Sequence, residues 1–153
     1  MSDEISIIPI AGHLSDEKRD KFVEKLSRYY PLSEEMIDQF PLLWDWGELS
    51  RSKSLQWSVG LIERHENRWD WSGYGSLSSN ESLPWSADLI ERFEDRWDWK
   101  YLSDNEALPW SKELIERFVD NWDWNNLSGN EALPLSADLP TCELVREASY
   151  PVC

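Results

Sequence analysis

Asp45, Asp70, Asp98 and Asp123 each lie between two tryptophans in a Trp-Asp-Trp triplet. Their recurrence is the feature of this chain most open to a chemical reading. A row of carboxylates can bind a hard divalent cation, or act as general acid and base. The triplets follow one another at 25, 28 and 25 residues. On successive helical units that spacing separates the carboxylates by about one interhelical distance, roughly 8–10 Å, too far for two of them to share an ion. Each aspartate also stands where a short helix would begin, and helix capping is the reading adopted.

No other catalytic arrangement is present in the sequence. His13 and His65 are the two histidines, and neither belongs to a nucleophile or metal motif. Cys142 and Cys153 lack a CxxC spacing and a nearby histidine, so they form neither a zinc site nor a disulfide framework. Gly73-Tyr74-Gly75 is too short for a phosphate loop and has no lysine after it. A general acid–base pair among the 30 acidic residues has no positive support. The chain is therefore expected not to be an enzyme and to need no cofactor.

The elements that carry these residues are repeated. Leu-Ile-Glu-Arg occurs at 61–64, 89–92 and 114–117, and Leu-Pro-Trp at 83–85 and 108–110, echoed by Leu-Pro-Leu at 133–135. In the unit 83–107, Ser86 is placed to cap a helix and Asp88 to favour its first turn. Trp85 and Ile90 have the spacing of a hydrophobic staple, as do Trp57 with Ile62, Trp110 with Ile115 and, less closely, Leu32 with Ile37. The cap serines Ser33, Ser58, Ser86 and Ser111 each precede their triplet by eleven residues.

Leu89, Ile90, Phe93 and Trp97 form one apolar helical stripe, which predicts a long first helix. Asp98 then opens a second, short helix over 99–103, which Asn105 is expected to close in the left-handed conformation. Pro109 stops the helix and leads to the next cap. A single unit buries too little to offset the ordering of its own backbone, so neighbours must share a core. The expected fold is all-α: a short α-solenoid of repeats about 25 residues long.

The expected organisation has three parts. Residues 1–30 hold an extended segment (Ile5 to Ile10) and a capping helix over 14–29, with Phe22, Val23 and Leu26 on one face. Residues 31–135 hold four units, approximately 31–54, 55–82, 83–107 and 108–132. Residues 136–153 are a degenerate C-terminal cap, with Pro140 where the pattern requires isoleucine. The first unit departs from the others, with Ser52 in place of asparagine and Gln39-Phe40-Pro41 where its helix should continue.

The unit Leu-Ser-x-Asn-Glu-x-Leu-Pro-Trp-Ser-x-x-Leu-Ile-Glu-Arg-Phe-x-x-x-Trp-Asp-Trp, best kept at 102–124, resembles short Trp-rich repeats of uncharacterised bacterial and large-virus proteins. The likeness spans about residues 31–135 and implies a helical repeat, with no shared activity.

Acidic residues outnumber Lys and Arg by 30 to 15, for a net charge of −15. That field repels nucleic acid and anionic membrane and favours basic partners. The units 83–107 and 108–132 carry −4 and −3. No apolar run is long enough to span a membrane, the first residues do not read as a signal peptide, and a cytoplasmic location is expected. Three functions remain. The first is a protein-binding adaptor with a repeated aromatic and acidic surface. The second is an acidic inhibitor that imitates a nucleic acid, of the anti-defence or antitoxin kind. The weaker third is glycan binding by tryptophan pairs.

The residues singled out for contact are the second tryptophan of each triplet (Trp46, Trp71, Trp99 and Trp124), expected to be partly exposed, and Tyr74 in the three-residue insertion within 72–76. Glu91 and Glu116 join them from ladders of Glu63, Glu91 and Glu116 beside Arg64, Arg92 and Arg117. Asp88–Arg92 and Glu113–Arg117 are the expected pairs within helices.

Overall fold

A computed structural model describes residues 13–134. Among them the chain is all-helical, with no strand. The eight helices are α1 (Asp16–Tyr29), α2 (Glu34–Gln39), α3 (Trp46–Ser50), α4 (Val59–Arg64), α5 (Ala87–Arg92), α6 (Trp99–Ser103), α7 (Lys112–Arg117) and α8 (Trp124–Ser128). A 3-10 turn, Leu77–Ser79, lies between α4 and α5. The extended segment expected before residue 13, and Ser136, Pro140, Cys142 and Cys153, fall outside the described residues.

The serine caps form as the spacing requires. Ser33, Ser58, Ser86 and Ser111 accept from the backbone N–H groups of Met36, Leu61, Leu89 and Leu114 at 3.1–3.3 Å. Each satisfies one of the free donors of the first turn.

The first helix of each unit is short: α2, α4, α5 and α7 have six residues each. The expected long helix stops early because the first tryptophan of each triplet folds back onto it. The Trp97 indole N–H donates to the Ile90 carbonyl at 3.0 Å, seven residues upstream, as Trp69 does to Ile62 and Trp122 to Ile115. The indole thus supplies a partner to a carbonyl at the helix end, where intrahelical donors run out. The chain from Phe93 to Trp97 proceeds through turns instead. Gln39-Phe40-Pro41 does no harm to the first unit for the same reason: α2 ends at Gln39, where every such helix ends. Only the indole contact shifts, with Trp44 donating to Met36 eight residues back.

A second set of bonds joins each unit to the one before it. Ser50 and Ser103 donate their hydroxyls to Trp46 and Trp99 of their own helices, and Ser78 donates to Trp71. The same hydroxyls accept from the N–H of Asp70, Asp123 and Asp98 in the following unit at 2.9 Å. Ser27 of α1 does this for Asp45 at 3.2 Å, which ties α1 to the first unit. Buried asparagines run parallel: the side chains of Asn80, Asn105 and Asn130 donate to the carbonyls of Ser50, Ser78 and Ser103. Each amide oxygen also accepts from the N–H two residues on. Asn105 is thus a cross-link, and α6 is closed by Asp104 at φ −88° and ψ −7°. Ser52 serves the first unit, accepting from Ser54 and donating to Arg28.

The core is one continuous apolar cluster from Leu32 to Leu127. Connector tryptophans pack on the first triplet tryptophan of their own unit, with ring centroids 5.0–5.1 Å apart for Trp57–Trp69, Trp85–Trp97 and Trp110–Trp122. Ten of the eleven tryptophans donate their indole N–H to a backbone carbonyl, so these rings pack buried or half-buried without an orphaned donor.

Candidate interaction surface

The four second tryptophans lie against the core. Trp46 meets Trp69 at 4.7 Å, Trp71 meets Trp97 at 4.8 Å, and Trp99 meets Trp122 at 4.8 Å, each reaching into the following unit. Trp71 is 8% exposed, contrary to the partial exposure its position predicts. Trp46, Trp99 and Trp124 are half-buried and pack on the same core. In Trp71 and Trp99 one ring also covers a phenylalanine, Phe93 and Phe118. These tryptophans join units, because a ring that projects past its own short helix meets the apolar stripe of the next.

His65 holds the place of that phenylalanine beneath Trp46, with centroids 4.9 Å apart. Its Nε2 lies 2.6 Å from an Asp38 carboxylate oxygen in the preceding unit. The first seam is therefore polar where the later two are apolar. Arg64 joins it, reaching Glu34 at 2.5 Å and Asp38 at 3.2 Å. The Glu34 carboxyl is held below its usual range by the Ser58 hydroxyl, then by Arg64. At Asp38, burial pushes the carboxyl upward, but hydrogen bonds from His65 and Arg64 outweigh it and the net shift is downward. His13 is exposed.

The Glu–Arg ladders are present, but their pairing runs across units. Arg92 binds Glu63 and Arg117 binds Glu91. Neither reaches Asp88 or Glu113, the partners expected within its own helix. Arg92 and Arg117 are the last residues of α5 and α7, and their long side chains meet the preceding unit's glutamates instead. Glu113 turns toward its own N–H and the Ser111 hydroxyl, which hold its carboxyl low. Glu91 is thus already paired, and Glu116 has only Lys112 at 3.7 Å.

The triplet aspartates behave in two ways. Asp45 and Asp123 cap α3 and α8 through Glu48 and Asn126. Asp98 precedes α6 but makes no such bond, since its Oδ2 accepts from Gly73 at 3.2 Å. No short α-helix follows Asp70, where the insertion intervenes. Among the described residues no group of three His, Cys, Asp or Glu side chains is arranged to hold a metal ion, and no helix is long and apolar enough to cross a membrane.

Beyond α1, where Lys18 and Lys25 are exposed without an ion pair among the described residues, the charges left over from residue 51 onward have one sign. From Arg51 to Arg117 every lysine and arginine is engaged within the chain. Seven make ion pairs. Arg68 donates to the Pro41 carbonyl and covers the Trp46 ring, and Lys100 lies over the Tyr101 ring. Asp70, Asp88, Asp95, Asp104, Glu106, Asp120 and Glu131 are exposed, and their carboxylates have no partner among the described residues.

Comparison with family models, with curated proteins and with solved structures finds no match.

The serine and asparagine cross-links were missed as such by the motif reading, although their signal is in the sequence. Leu-Ser recurs at 49–50, 77–78, 102–103 and 127–128, and asparagine at 80, 105 and 130. A short polar residue at an otherwise apolar helix end, repeated in register, marks a buried bond to the neighbouring unit.

Proposed function

We propose that the four units stack as a short α-solenoid, and that its function is to bind a basic protein partner without catalysing a reaction. The observation that carries this is the one-sided charge remainder from residue 51 onward: the cations of 51–117 are consumed internally, while seven exposed carboxylates are unpaired. Such a surface attracts a cationic partner over a distance and orients it. The recurring cross-unit bonds support stacking, since the same serine, asparagine, tryptophan and arginine contacts return from unit to unit. The resemblance to Trp-rich repeats of bacterial and large-virus proteins belongs to the same proposal, as does a cytoplasmic location.

The aromatic half of the expected surface receives less support. Trp46, Trp71 and Trp99 are engaged by the next unit, which also weakens the glycan reading, because sugar platforms need an open ring face. Imitation of a nucleic acid is the narrower form of the acidic reading, favoured by the repeated excess of −4 and −3 in successive units.

The test is capture of partners on the tagged protein at low and high salt, beside the variant Asp88→Asn/Asp95→Asn/Asp104→Asn/Glu106→Gln. None of these four carboxylates has a structural partner, so the variant should fold. A basic protein held at low salt, released at high salt and lost with the variant is expected. Release by added DNA would identify a nucleic-acid-binding partner. A partner retained at both salts by wild type and variant alike would overturn the acidic reading.

A further inference from the structure

The 72–76 insertion disturbs the unit that carries it. A 3-10 turn stands where the other units have a five-residue helix. Gly73 and Gly75 sit at φ 88° and 83°, in the region that disfavours every residue with a Cβ. Asp98 gives up capping its own helix to hold Gly73. Arg51 Nε and Ser76 Oγ are buried without a hydrogen-bond partner, and a Cβ on Gly75 would come within 3.1 Å of that Nε. The one cross-unit bond the insertion adds, Gly73 N–H on Asp98, takes the place of a helix cap, while Ser78 makes the same pair of bonds as Ser50 and Ser103. Local departures of this kind, maintained at a cost to stability, concentrate at functional sites.

What the insertion does is hold a tyrosine in water. Tyr74 is 90% exposed at the tip of a loop closed by Leu77 N–H on the Asp70 carbonyl (2.8 Å), Ser76 N–H on Gly73 (3.3 Å) and Gly75 N–H on the Ser79 hydroxyl (3.0 Å). A ring carried on an anchored loop leaves little backbone freedom to be lost on binding. Tyr29 and Tyr101 each have the chain's own cation over the ring, Arg28 at 5.2 Å and Lys100 at 5.8 Å. Before Tyr74 that neighbour is a glycine, and no cation among the described residues covers its ring. The loop is rooted at one end on Asp70, whose carboxylate is unpaired, and is held at Gly73 by Asp98.

We infer that Tyr74, with Asp70 and Asp98 at the base of its loop, is a docking point for an arginine or lysine side chain of a protein partner. An exposed aromatic ring on a loop whose base carries carboxylates attracts a cation by both quadrupole and charge. This inference rests on the basic-partner reading and locates one contact within it.

A hexa-arginine peptide titrated into the full chain, followed by amide chemical shifts, tests it. The expected result is shifts at Asp70, Gly73, Tyr74 and Gly75, lost in Tyr74→Ala, retained in Tyr74→Phe, with affinity falling roughly two- to fivefold for the alanine variant. Asp88→Asn/Asp95→Asn/Asp104→Asn/Glu106→Gln should weaken the peptide overall while leaving the loop shifts in place. Binding elsewhere with unchanged affinity in Tyr74→Ala would overturn the docking point and leave the basic-partner reading standing. Absence of binding to the wild type would overturn both.

Discussion

Replacing Asn105 with alanine removes a cross-link between two units without touching an apolar side chain. Asn105 is 4% exposed; its amide donates to the Ser78 carbonyl at 3.2 Å and its oxygen accepts from Ala107 N–H at 3.0 Å. Ser78 is fully buried, so its carbonyl loses this donor where water does not replace it. That costs about 1–3 kcal/mol, and loss of the Ala107 bond adds about 1 kcal/mol, for roughly 2–4 kcal/mol in all. Asn105→Ser should be milder, about 1–2 kcal/mol. Ser52 already performs both tasks with one hydroxyl, accepting from Ser54 at 3.3 Å and donating to Arg28 at 2.9 Å. Urea unfolding followed by tryptophan fluorescence reads both variants, with a midpoint shift of about 1–2 M for the alanine form. Its transition should also broaden, as units on either side of the seam uncouple. The neighbouring exposed Glu106→Gln is the control, expected within about 0.5 kcal/mol of wild type. If Asn105→Ala matches that control, the asparagines do not hold the units together. If serine is as damaging as alanine, the equivalence with Ser52 is wrong.

Two further outcomes follow from the same geometry. Trp97→Phe keeps an aromatic ring beside Trp71 and Trp85 but leaves the Ile90 carbonyl without its indole donor, and should cost about 1–3 kcal/mol in the same urea assay. Glu34 and Asp38 have folded-state pKa values below their ordinary 4.5 and 3.8, so the stability they contribute is fully present above those values and is lost as pH falls through the lowered ones. Acid titration of Glu34→Gln should therefore show a shallower loss of stability below pH 4.5 than wild type; an unchanged slope would mean that the first seam does not contribute to acid sensitivity.

Much of the local structure was legible because it is written in bonds between residues a few positions apart. Each cap serine reaches an N–H three residues on, and Asp45 and Asp123 do the same. The end of the first helix was not legible. The apolar stripe continues through Phe93 to Trp97, and periodicity has no means of registering that Trp97 returns its indole to Ile90. Among the second tryptophans, Trp46, Trp99 and Trp124 are partly exposed as expected, and Trp71 is not, for a related reason. Trp71 opens its segment on the polar side of a single unit, and only a neighbour bearing Phe93 and Trp97 covers it.

Composition and spacing by themselves determined that this chain is helical, where its helices begin, that its tryptophans recur in register, and that its charge excess is negative. These properties depend on short-range hydrogen bonding and on counts, which no arrangement in space can alter. Only the tertiary structure decided which groups remain available to another molecule. Arg117 has acidic choices in its own helix and in the preceding unit, and it takes Glu91. Asp98 has a helix to cap and binds Gly73 instead. A side chain with several possible partners is committed by distance, and distance between units is set by packing.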